Sequence, residues 1–294
     1  MSAVADYEVV VGTGAGPDEA VSGGSGRTRR SRSRGAGDVL RAVWRSRWTR
    51  FGGPLILLGL WQLAVTIGHT PSVQMPSPSY VVSTARHLLA DGTLEAALVA
   101  SLRRVVLGLL LGISIGTALA LASGLSRVGE RLIDPIMHMF RTMPVLALLP
   151  LFIIWFGIGE KAKVFLIAWA VIFPIYINTY AGVRSVDSRL VEAGRVLGLG
   201  RGGLIRHVIL PGALPQFLTG LRLAMGISWL VLVAAEEINA TSGLGYMLIN
   251  AENLLQTNVM FVGLLVYSLL GLASDVIVRL IERWALAWRS SFVT

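Results

Sequence analysis

Six apolar stretches, each about as long as the roughly 20 residues a helix needs to cross a bilayer, constrain this chain more than any other feature. They run approximately over residues 51–69, 100–124, 133–157, 163–183, 213–238 and 259–280. With 54% hydrophobic residues, 15% charged residues and a mean hydropathy of +0.67, the 294-residue chain is far from a soluble domain. The reading is an all-α membrane protein with six transmembrane helices. Residues 76–90 are too polar to span and read as a short amphipathic helix on the outer face.

Net charge is +9, with Lys161 and Lys163 the only lysines. The arginines cluster between the apolar stretches, so membrane orientation explains them more simply than nucleic acid does, and no nucleic-acid partner is expected. With the N terminus inside, the inner segments carry nineteen basic residues, whereas the outer loops hold Arg86, Lys161 and Lys163, with Arg103 and Arg104 near the outer end of the second span. This asymmetry predicts a multi-pass plasma (inner) membrane protein with both termini cytoplasmic. The chain has no cysteine, which excludes disulfides, thiolate zinc sites and cysteine nucleophiles.

Residues 1–50 differ in character. They hold nine arginines among many Gly and Ser, and residues 1–40 read as disordered because they offer too little apolar surface to offset the entropy of ordering. Arg29-Arg30 suggests a twin-arginine signal, but the nearest apolar run begins about twenty residues later, too far for a signal peptide. Residues 41–50, which mix Trp with Arg, read as an interfacial lead-in. The membrane domain is then 51–294.

Between the fourth and fifth spans lies a basic, glycine-rich loop, residues 185–211. It contains Glu192-Ala193-Gly194, then Gly198, then Val208-Ile209-Leu210-Pro211. Glu192 is expected near a helix start, where a carboxylate suits the positive end of the helix dipole. Small residues at 193 and 194 would let a partner approach the backbone. Gly198 and Gly200 can end the helix in a left-handed conformation, and Pro211 suits the first turn of the next helix. This two-part pattern resembles the EAA loop of ABC-importer permeases, with Gly194 where that family's consensus has alanine.

The wider chain, from about 55 to 290, is similar to permeases of the nitrate/sulfonate/taurine family, and within it to the aliphatic-sulfonate branch. The stretches that carry this are 124–134, 146–160, 173–184, 207–215, 235–246 and 255–259. The resemblance implies a type I ABC-importer permease fold with a cytoplasmic coupling helix. It implies a homodimer surrounded by lipid, a cytoplasmic ABC ATPase dimer docked on the inner loops, and an extracytoplasmic substrate-binding protein. Alternating access would then be driven by ATP and Mg on the partner ATPase, with the 188–200 helix carrying the motion. Glu192, Ala193, Gly194, Gly198, Leu210 and Pro211 become the expected ATPase-coupling residues. Taurine, nitrate or another small substrate would suit the same machinery.

No catalytic site is expected in this chain. Neither lysine sits in a Gly-Lys-Ser/Thr P-loop, so ATP hydrolysis belongs to another chain. Gly198, Gly200 and Gly203 satisfy G-x-G-x-x-G, but they lie between membrane spans rather than in a βαβ unit. His69, His87, His138 and His207 show no metal-ligand spacing, and no G-x-S-x-G elbow exists. No metal or cofactor is expected. An ion-coupled secondary transporter is the reading from another class; it would need acidic coupling sites near mid-membrane and usually internal repeats, and neither is evident.

A charge at mid-span costs about 2.5–3.5 kcal/mol on insertion scales, so Arg141 and Arg222 need a reason. Arg222 has two readings: a cation lining an anion path, with Asn178, Tyr180 and Trp229 as neutral pathway candidates, or a structural arginine that pairs with a carbonyl or reaches the inner interface. For Arg141, nearer the cytoplasmic end, the structural reading is preferred. Glu236 and Glu237, at the outer end of the fifth span, are candidates for binding-protein contact, for pairing within the dimer, or for plain solvated acids. Pro144, Pro150 and Pro174 invite kinks. Gly108, Gly112 and Gly116 share one helix face and predict close helix–helix packing.

Overall fold

A computed structural model describes residues 49–68 and 74–287, and every regular element among them is helical. Of the expected 1–50 tail, residues 1–48 lie outside the described residues. In chain order the helices are α1 (Thr49–Ile67), α2 (Pro78–Ala90), α3 (Thr93–Leu125), α4 (Arg127–Arg141), α5 (Leu149–Phe156), α6 (Glu160–Arg184), α7 (Ser188–Val196), α8 (Arg201–Leu204), α9 (Leu210–Asn239), α10 (Leu244–Asn253) and α11 (Thr257–Ala285). A 3₁₀ turn, Val145–Leu148, precedes α5, and a π-helical turn, Ile205–Ile209, joins α8 to α9. The packing described below lies within the compact unit that begins at Leu55.

The expectation of six spans is met only in part. Among the described residues four helical segments are long and apolar enough to cross a membrane: α3, α6, the run Arg201–Ile238 and α11. The count reaches five if α4 and the Val145–Phe156 segment form one crossing. The span expected at 133–157 is not one helix, because its two halves meet at 94°. The cause lies in the sequence. Pro144 cannot donate a backbone hydrogen bond, and it biases Met143 away from helical backbone. Helix α4 therefore stops at Arg141, where the Thr142 amide donates to the Met139 carbonyl (3.3 Å) and the Thr142 hydroxyl donates to the same oxygen (2.7 Å).

The glycine face of the second span packs as expected. A Cβ on Gly108 would lie 2.5 Å from Ile167, one on Gly112 would lie 2.7 Å from the Ala168 carbonyl oxygen, and one on Gly116 would lie 2.8 Å from the Ile172 carbonyl oxygen. Only hydrogen in place of a side chain lets α3 and α6 approach this closely. The contacts advance together along both chains, down to Gly124 against Val183, so α3 and α6 run parallel. Helix α9 crosses α6 in the opposite sense, through Gly182 on Ala213 and Gly220 on Pro174 and Asn178. Helix α11 pairs antiparallel with α9 through Trp229 and Ser274, whose indole-to-hydroxyl bond is 2.9 Å.

These directions sort the bundle into two ends. One end holds the start of α6, the end of α9 and the start of α10. The other holds the start of α4, the end of α6, the loop 185–211 and the end of α11. The aliphatic core between them includes Leu166, Ile167, Val171, Ile175, Ala224 and Leu232, all fully buried.

Candidate functional site

The loop between α6 and α9 forms a short, well-terminated helix. Helix α7 begins at Ser188, with the Asp187 carboxylate capping the Arg189 amide at 2.9 Å. Glu192 therefore lies a turn inside the helix rather than at its start, and Asp187 supplies the negative charge at the N-terminus. At the far end, the Leu199 amide donates to the Gly194 carbonyl (3.0 Å) and the Gly198 amide donates to the Arg195 carbonyl (2.9 Å). This pair of bonds, with Gly198 at φ +83°, is a Schellman termination. Gly200 does not end the helix; it has φ −70° and extended backbone and opens α8 instead.

Gly194 is the only buried residue of α7, and a Cβ there would lie 2.7 Å from Leu204 and 3.3 Å from Leu199. The loop thus folds onto itself through this glycine. The rest of the helix is largely open: Glu192 and Ala193 are exposed, and so are Leu190, Val196 (87%) and, just past its end, Leu197 (81%). Leu210 is exposed and Pro211 half-buried in the first turn of α9. The result is a short capped helix with bare aliphatic side chains and one carboxylate, held between two spans.

The pathway candidates do not gather into one wall. Arg222 is paired: its guanidinium donates to Glu282 at 2.6 Å and lies 3.4 Å from Asp275, which also holds Arg279 at 2.5 Å. Its partners are carboxylates of α11, not the carbonyl or inner interface that sequence reading offered. Trp229, two turns along the same face of α9, is buried against Ser274. Asn178 donates to the Pro174 carbonyl (2.8 Å) at the α6–α9 crossing, and the Tyr180 hydroxyl donates to Glu130 of α4 (2.8 Å).

Glu236 has a different place from the one expected. It is fully buried, whereas Glu237 is exposed. Glu236 accepts from both Arg104 and the Ser101 hydroxyl (2.8 Å), from the Gly245 amide (2.8 Å) and from the Tyr267 hydroxyl (3.4 Å). Arg104, 1% exposed, also forks onto Glu160 (2.6 and 2.7 Å) and reaches the Ser242 carbonyl (2.7 Å) and hydroxyl (3.0 Å). One guanidinium thereby joins α3, α6, α9 and the α9–α10 loop. Sequence reading missed this cluster, although Ser101 and Arg104 share a helix face and a charge inside a span must find a partner.

Residues 108–286 match the family model described as the binding-protein-dependent transport system inner membrane component. Two relatives, both named for aliphatic-sulfonate transport as permease SsuC, align over 239 residues. That of Escherichia coli (strain K12) is 46% identical, covering 81% of this chain and 91% of the relative. That of Bacillus subtilis (strain 168) is 42% identical, covering 81% and 87%. The crystal structure of an amino acid ABC transporter with histidines shares the fold at a TM-score of 0.55 and 19% identity, covering 67% of this chain and 96% of that one.

Proposed function

The chain belongs to the binding-protein-dependent transport system inner membrane components, as a permease subunit of an ABC importer, and from that premise we propose that it carries aliphatic sulfonates inward. Two copies form the pathway, an ATPase dimer docks on the loop 185–211, and an outer binding protein delivers substrate. Both relatives named for sulfonate transport support the substrate class.

The observation that carries the coupling role is the exposed surface of α7 and its C-cap, where Leu190, Glu192, Val196 and Leu197 stand bare while Gly194 fixes the helix to Leu204. In this reading Glu192, Ala193, Gly194, Gly198, Leu210 and Pro211 form the coupling element, and Glu237 remains the candidate for binding-protein contact. Orientation is supported by the charges: Arg127, Arg131, Arg184 and Arg189 lie at the end of the bundle that carries the loop. That end is cytoplasmic. Six crossings result when the bent α4–α5 pair counts once and α1, 19 residues long, is added to the four apolar spans.

The test is growth. A strain lacking this chain is expected to fail on alkanesulfonates as sole sulfur source, to grow on sulfate, and to recover when the chain is restored. Unimpaired growth of the deletion strain on alkanesulfonates, with no second importer present, overturns the substrate reading.

A further inference from the structure

We propose that Arg141 lines the aqueous translocation path and meets the anionic substrate part-way across the bilayer. This rests on the reading of the chain as a sulfonate permease.

The first observation is depth. Contacts between the bent pair and α6 run in order: Glu130 with Tyr180, Asp134 with Tyr176 (3.0 Å), Phe140 with Trp169 (ring centroids 5.4 Å), and Phe156 with Phe165 (4.2 Å). The pair therefore crosses alongside α6 rather than turning back. Trp169 lies nine residues from the start of α6 and fifteen from its end, or about 14 Å and about 22 Å at the helical rise. Arg141 follows Phe140, so its backbone sits well inside a hydrocarbon layer about 30 Å thick.

The second observation is what stands there. Residues Arg141, Thr142, Met143 and Pro144 are all exposed, and the backbone between them is not helical. Irregular backbone at membrane depth is tolerated only where it lines water or is covered by protein, never facing lipid. A break and a charge at one place both point away from the acyl chains.

The third observation is the state of the charge. Arg104 spends its guanidinium on Glu160, Glu236 and Ser242, and Arg222 is held by Glu282 and Asp275. Arg141 has no carboxylate partner among the described residues. Asp134, the nearest acid on its own helix, is engaged by Tyr176 and by His138 (3.5 Å). Arg103 and Arg283 likewise show no carboxylate partner among the described residues, but they lie near the ends of the bundle. Among the described residues Arg141 alone combines depth, exposure and an uncommitted planar fork of donors, the geometry that suits an oxyanion group such as sulfonate. A single cation of this kind attracts the anion without the deep trap that a cluster would make.

The experiment uses the cysteine-free background of the native chain. Thr142→Cys and Met143→Cys are introduced separately, each with Arg141 intact or as Arg141→Gln, in the full importer reconstituted with ATPase and binding protein. Each is treated with methanethiosulfonate reagents bearing either a sulfonate or a trimethylammonium group. Both cysteines are expected to react from the aqueous phase. The ratio of anionic to cationic reaction rates should fall about fivefold in Arg141→Gln, the scale of one unit charge at close range in a hydrated path. Alkanesulfonate uptake should drop about tenfold in Arg141→Gln and largely recover in Arg141→Lys, as expected for one charge-assisted contact. Failure of both reagents to reach either cysteine, or a rate ratio unmoved by Arg141→Gln, overturns the proposal. A shifted ratio in an importer that takes up no alkanesulfonate keeps Arg141 on the path and removes the sulfonate reading instead.

Discussion

The two ends of the helical bundle solve opposite problems. At one end Arg104, Glu236, Glu160, Ser101 and Ser242 interlock α3, α6, α9 and the turn into α10, and the Arg104 and Glu236 side chains are almost wholly enclosed. Even the turn is shaped by the cluster: Gly243, at φ +113°, has no room for a Cβ, which would lie 2.4 Å from Glu236. At the other end the loop 185–211 is joined by a glycine termination, a four-residue helix and a π-helical turn, and it leaves its aliphatic side chains bare. The first end holds helices in fixed relation. The second leaves a short capped helix with its aliphatic side chains exposed. A buried, fully satisfied network and an unfinished surface need different mutations to expose them.

The comparison breaks most severely at Arg104 and Glu236. Arg104→Ala leaves the Glu236 carboxylate buried without its ion-pair partner, at a cost of about 3–5 kcal/mol, whereas Glu236→Ala leaves Arg104 still held by Glu160 and should cost less. The expected outcome of Arg104→Ala is loss of folded, monodisperse protein in detergent and a sharp fall in membrane yield. The double variant Arg104→Met/Glu236→Leu should be milder than the sum of the single changes, because it removes both charges together. Additive losses would show that the pair does not act as a unit.

A step down in size is the α3–α6 crossing that connects the two ends. Gly112→Val places a branched side chain where even a Cβ comes within 2.7 Å of the Ala168 carbonyl oxygen. Overpacking of this kind costs about 1–3 kcal/mol, measurable as a lower thermal aggregation midpoint of purified protein. Gly59, with nothing within 4 Å of a Cβ, should accept Ala with no such loss. Equal effects at the two glycines would refute the tight crossing.

How far the sequence reveals these two ends differs for a physical reason. The exposed loop is legible because its parts are local: Gly198 and Pro211 act within a few residues of themselves, and Gly194 packs on Leu204 only ten residues on. The Gly108-Gly112-Gly116 face is legible because helical periodicity puts the three in line. The ionic cluster is not, since Arg104 and Glu236 stand 132 residues apart and only the fold brings them together. Arg222 falls between these cases. Its partners Asp275 and Glu282 are seven residues apart on one face of α11, a spacing visible at the end of the last apolar stretch and just beyond it, but nothing local says which helix they face. Pro144 announces a kink, whereas a bend of 94°, which divides an expected span in two, depends on how α5 packs against α6.

The smallest effect on stability is expected at Glu192, and there the comparison is sharpest. Its side chain is exposed on α7, makes no ion pair among the described residues, and lies a turn beyond the capping Asp187. Charge reversal by Glu192→Arg should therefore shift stability by no more than about 0.5 kcal/mol, the usual range for a surface position. The same change sets a cation beside the bare Val196, one turn on, on the surface that the ATPase would cover. Coupling surfaces reject a misplaced charge far more strongly than solvent does. Co-purification of the ATPase and substrate uptake should both fall while yield and melting behaviour stay at the level of the unaltered chain. A variant that keeps its ATPase and transports normally would remove α7 from the coupling role, and a variant that unfolds would mean that Glu192 belongs to the fold rather than to its partner.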